Sequence, residues 1–122
     1  MYSTVEVIGA IIDKAIGGGV TLYYEEVAAN APFPYAVITD LGATNDDPYD
    51  TGMDITIDLW DVEPNATRLE MLCDTLRSVL NYALITTDTA IGRVNYLSQQ
   101  PITDNEGNLI RRQQTYSARI FG

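Results

Sequence analysis

The chain has 122 residues, 46% of them hydrophobic and 20% charged, the balance of one globular domain with no room for a second core. It carries one cysteine, Cys73, and no histidine, which excludes an internal disulfide, Ser-His-Asp and Cys-His catalysis, and histidine metal sites. Its net charge of −10 repels nucleic-acid phosphates and disfavours a DNA-grasping function.

In chain order, Thr4 to Ile16 predicts an amphipathic helix. Val5, Ile8, Ile12 and Ala15, helped by Ile11 and Ile16, follow the three-and-four spacing of one apolar face. Ser3 or Thr4 suits its cap, and Gly17-Gly18-Gly19 suits its stop. Val20 to Tyr24 is β-branched and aromatic and predicts a short strand. Ala31-Pro-Phe-Pro-Tyr35 disfavours helix and leads into a strand over Tyr35 to Leu41. A polar loop, Gly42 to Asp50, comes next. Met53 to Asp61 alternates strictly, with Met53, Ile55, Ile57 and Leu59 on one face and Asp54, Thr56, Asp58 and Trp60 on the other. Pro64 suits the first turn of a helix that runs to about Asn81, with Leu69, Leu72, Cys73, Leu76, Val79 and Leu80 as its buried stripe. Arg93 to Gln99 is a further strand, Asp104 to Asn108 a turn cluster, and Leu109 to Phe121 a long final strand that pairs back as a hairpin. One-sided strands with two amphipathic helices predict a single α+β domain over residues 1–122. Its antiparallel or mixed β-sheet has both helices packed on one face.

The charge is unevenly placed. Ten acids and no cation lie between Lys14 and Arg68, whereas from Arg68 onward six arginines meet five acids. Solubility accounts for such a bias, and so does complementarity between copies, an acidic face on one subunit meeting arginines on the next. No apolar run nears the roughly 20 residues that span a bilayer. The segment Met1 to Glu6 lacks the character of a signal peptide, so a soluble protein made in the cytoplasm is expected.

No constellation of residues points to catalysis, a metal or a cofactor. Cys73 falls in an apolar helical stripe, where cysteine acts as a small hydrophobe. Asp46, Asp47 and Asp50 lack the alternating oxygen spacing of an EF-hand loop and read as a solvated loop. Asp54 and Asp58 stand about 13 Å apart along one strand, too far for paired carboxylate chemistry. Gly17-Gly18-Gly19 follows a helix instead of opening one, so it is a helix stop and not a phosphate loop. On the last strand Arg111 and Arg119 share a polar face with Gln113, Thr115 and Ser117, while Arg112 and Gln114 interrupt the apolar one. Such a face is either wet or a docking surface, and arginine's enrichment at interfaces favours docking. The candidate subunit interface is therefore Arg111, Arg112, Arg119 and Trp60.

The order of elements carries a resemblance. An N-terminal helix leads to Phe33-Pro-Tyr-Ala-Val-Ile38 opening a strand. A polar loop, an alternating strand ending in Leu59-Trp60-Asp61, a helix with Thr67-Arg68-Leu69-Glu70 near its start, and a C-terminal hairpin follow. Over nearly the whole chain this resembles the tail-completion proteins of long-tailed bacteriophages, the tail terminators and head-to-tail joining subunits. The resemblance implies a structural, non-enzymatic virion protein at the tail–head junction, assembled in the host cytoplasm. It implies a homo-oligomeric ring, commonly a hexamer, that meets a tail tube protein and a head connector while genomic DNA passes through. A channel of that kind favours like charge, so the acid-rich segment with Asp40, Asp46, Asp47 and Asp50 is the candidate lumen. Another neck, connector or minor capsid component, or a small acidic regulator of a host protein, are the competing expectations.

Overall fold

The computed structural model describes residues 4–27, 31–43, 50–88, 90–102 and 107–121. Helix α1 spans Thr4–Gly17, followed by strands β1 (Leu22–Tyr24), β2 (Tyr35–Ala43) and β3 (Asp50–Val62). Helix α2 (Ala66–Leu80) then leads to β4 (Leu84–Thr86), β5 (Ile91–Ile102) and β6 (Leu109–Phe121). The six strands form one sheet in the order β1-β2-β3-β6-β5-β4. Only the β1–β2 pair is parallel among these strands, so the sheet is mixed and the fold is α+β, as expected.

Strand parity explains the layering. Met53, Ile55, Ile57 and Leu59 of β3 and Tyr116, Ala118 and Ile120 of β6 are buried on one face of the sheet. They form one apolar cluster with Val7, Ile11 and Ala15 of α1 and with Leu69, Cys73, Leu76 and Leu80 of α2. Helix α2 lies against β3, β5 and β6, while α1 packs on α2, β1 and β4. Both helices therefore cover the same face, and the other face has no layer over it among the described residues.

Three local expectations need correction. The buried stripe of α1 is Val7, Ile8, Ile11 and Ala15, whereas Val5 and Ile16 are 77% and 56% exposed. The stripe is rotated because α1 sits in the angle between α2 and the sheet, so the face around Val7 and Ile11 is covered. Pro64 precedes α2 instead of opening it. Asn65 occupies the N-cap position, and the Glu63–Pro64 bond is cis, as is Phe33–Pro34. Strand β4 was not expected, because three residues are too few to show a period.

The glycine stop of α1 is as expected. Gly18 N donates to Lys14 O at 3.1 Å, Val20 N to Ala15 O at 2.8 Å, and Gly19 adopts φ 90°. The covered face also holds a polar network. Fully buried Gln114 donates through Nε2 to Cys73 O (3.0 Å) and to Gln99 Oε1 (2.8 Å), and accepts from the Tyr116 hydroxyl at 2.6 Å. Gln99 Nε2 continues it to Glu70 Oε2 at 3.3 Å. Every polar atom of Gln114 that enters the core thus brings its partner with it, which removes the cost of burying an amide.

Candidate functional site

The bare face of the sheet is the surface the fold leaves for work. Its middle is occupied by a ladder of hydrogen-bonded side chains, in which only the buried Arg111 Nε lacks a partner among the described residues. Asp58, only 4% exposed, accepts from Arg111 Nη1 at 3.2 Å and from Gln113 Nε2 at 3.1 Å, and Gln113 Oε1 accepts from Gln100 Nε2 at 3.1 Å. The Arg111 guanidinium also lies over the Trp60 ring, 4.8 Å from its centroid. A charged pair held this way is largely neutralised, so the centre of the face offers little net charge to a visitor.

The two outer corners differ. At the β1 edge, Tyr23, Phe33 and Tyr35 cluster, with the Phe33–Tyr35 rings stacked at 5.2 Å and the Tyr23–Tyr35 rings edge-on at 6.3 Å. Exposed Glu25 and Glu26 follow directly. Glu25 accepts the Tyr24 hydroxyl hydrogen bond, and that bond raises the tyrosine pKa above its ordinary value; desolvation and the nearby charges of Glu25 and Asp40 add to the shift. This corner is aromatic and negative. At the β4 edge, Leu84, Ile91 and Phe121 are 43%, 48% and 48% exposed. Ile91 stands opposite Phe121 and Arg93 opposite Arg119, while Arg93 also pairs with Leu84. Arg119 reaches over the Phe121 ring at 5.8 Å. This corner is aliphatic and positive.

The expected interface residues divide accordingly. Trp60, Arg111 and Arg119 lie on the bare face. Arg112 lies on the helix side, as strand parity requires, with Nε 2.6 Å from Glu70 Oε1. Of the candidate lumen residues, Asp46 and Asp47 lie outside the described residues. Asp40 is exposed opposite Thr56, and Asp50 pairs with Phe121, six residues further along β3. The two are thus about 20 Å apart along the strand direction. The residues that sequence reasoning missed are Leu84, Ile91, Arg93 and Phe121. Their signal was parity: Ile91 and Arg93 alternate with inward Gly92 and Val94.

Desolvation pushes the Cys73 thiol up to about 12, so it stays protonated in the core. Among the described residues no group of three His, Cys, Asp or Glu side chains is placed to hold a metal ion. No described helix is long and apolar enough to cross a membrane.

No family model matches the sequence, and no curated protein matches it. Solved structures do. A chain from the virion of a native gene transfer agent particle superposes with TM-score 0.76 at 14% identity, covering 100% of both chains. A second solved chain superposes with TM-score 0.70 at 13% identity, covering 100% of this chain and 98% of that one. The likeness runs through every element of the sheet and both helices, so the fold of this chain is similar from end to end to that of a chain found in a virion.

Proposed function

We propose that this chain is a structural protein of a phage-like particle, a subunit of the ring that ends a tail tube and joins it to the head. The observation that carries the reading is the full-length similarity in fold to a gene transfer agent virion chain, 100% of each covered. The physical features agree with it. Two helices cover one face of the sheet and leave the other, with its contrasting corners, for neighbours. In this reading the copies close a ring, commonly of six, against the tube on one side and the connector on the other. The net charge of −10 then lets DNA slide through without adhering. The acid-rich segment of residues 40–50 is the proposed channel lining.

The test is the mass of the purified protein by light scattering, alone and with the tail tube protein of the same particle. A closed oligomer in either sample, seen as rings by electron microscopy, is the expected result. A monomer in both, with no association, would overturn the reading.

A further inference from the structure

Two opposite edges of one sheet carry complementary surfaces. Strand β1 meets β3 near Asp58 through β2, and β4 meets it near Thr51 through β5 and β6. Measured along the sheet, seven residues of β3 (roughly 23 Å) and five strand spacings (roughly 24 Å) separate the two corners. One chain cannot bring them together, but two chains can.

The β4 corner is unusual for this sequence. The chain has only seven cations against 17 acids, yet Arg93 and Arg119 stand directly opposite each other across β5 and β6. Arg93 Nη1 reaches the Tyr82 carbonyl at 3.3 Å, a neutral acceptor. Around the pair lie half-exposed Leu84, Ile91 and Phe121, the mixture of arginine and large apolar groups that is enriched in interface cores. The β1 edge supplies the opposite mixture: the three aromatic rings of Tyr23, Phe33 and Tyr35, and exposed Glu25 and Glu26 just past the end of the strand. Glu25 holds φ 59°, a left-handed conformation that disfavours a side chain.

We infer that the β4 corner of one copy, Arg93 and Arg119 with Leu84, Ile91 and Phe121, receives the β1 corner of the next copy, Glu25 and Glu26 with Tyr23, Phe33 and Tyr35. Different patches meet, so the contact is heterologous and repeats from copy to copy, as ring closure requires. The inference rests on the ring reading and names its seam.

Charge reversal tests it. Arg93→Glu/Arg119→Glu places acids against acids, and Glu25→Arg/Glu26→Arg places arginines against arginines. Each double variant alone should show at least a tenfold loss of assembly by light scattering, with or without the tail tube protein. An equimolar mixture should recover assembly, because each seam then joins opposite signs in alternation. Glu25→Gly serves as a variant that suits its backbone: the φ of 59° favours glycine, so the melting temperature should hold while assembly weakens. Arg93→Glu alone does the same for the other corner. Variants that stay folded and assemble like the wild type overturn the seam and leave the ring intact. A mixture that stays dissociated also overturns the seam. A wild-type chain that never assembles overturns the ring reading itself.

Discussion

Asp61 shows how one side chain ties two elements and makes the fold sensitive to acid. Its carboxylate is fully buried at the end of β3 and accepts hydrogen bonds from Arg68 Nε on α2 (2.8 Å) and from the Val62 amide (2.8 Å). The Arg68 hydrogen bond holds the carboxyl below its ordinary pKa, and burial, which opposes this, loses. A folded value below the unfolded one means that the stabilisation is complete above the unfolded pKa of about 4 and drains as pH falls through the folded value. Asp61→Asn keeps the shape but removes the titration. Its melting temperature should therefore fall less between about pH 6 and about pH 3 than that of the wild type. An equal fall in both proteins would place the acid sensitivity elsewhere. Arg111 teaches the converse lesson. Its reversal to glutamate would set a second carboxylate against nearly buried Asp58, so lost assembly in that variant would not separate interface from fold.

At the scale of elements, β5 and β6 come together through a glycine. A Cβ at Gly92 would stand 2.6 Å from the Arg119 carbonyl oxygen and would also strike Ile120. The backbone cannot yield without breaking the β5–β6 ladder, so Gly92→Ala should destabilise the protein by about 1–3 kcal/mol in chemical denaturation. A change under about 0.5 kcal/mol would mean that the strands separate there at little cost. The elements themselves differ in how readily the sequence declares them. Met53 to Asp61 could be read outright, because strict alternation over nine residues fits only a strand with one covered face. Leu109 to Phe121 was equally plain, and its parity already put Arg112 and Gln114 among the apolar positions. What that parity did not reveal is why they are tolerated there, since the partners, Glu70, Gln99 and the Cys73 carbonyl, come from distant segments. Helix α1 was legible as a helix but not in its rotation, because eight isoleucines, valines and alanines nearly encircle it and only tertiary packing selects the covered side. Strand β4 was silent, and with it went Leu84 of the aliphatic corner. Of the candidate surface, the polar arginine face was readable and the pairing of its two corners was not.

For the whole molecule, net charge and local complementarity act in opposite directions, and magnitudes decide which governs assembly. A domain of 122 residues is about 35 Å across by the scaling of compact chains. Two such copies in contact, each carrying −10, repel by roughly 12 kcal/mol in unscreened water. Screening cuts this to about 4 kcal/mol at 0.01 M ionic strength, where the Debye length is about 30 Å, and to well under about 1 kcal/mol at 0.15 M, where it is about 8 Å. Exposed ion pairs at the proposed seam contribute only about 0–1 kcal/mol each, and salt weakens them far less than it weakens the long-range repulsion, because their charges are in contact. The global term is therefore the larger at low salt and the smaller at physiological salt. Assembly should strengthen as salt rises from about 0.01 to about 0.15 M, the reverse of what simple opposite-charge docking gives. Light scattering across a salt series measures it. Association that weakens steadily from the lowest salt upward would mean that attraction between the charged corners outweighs the repulsion of the whole chains.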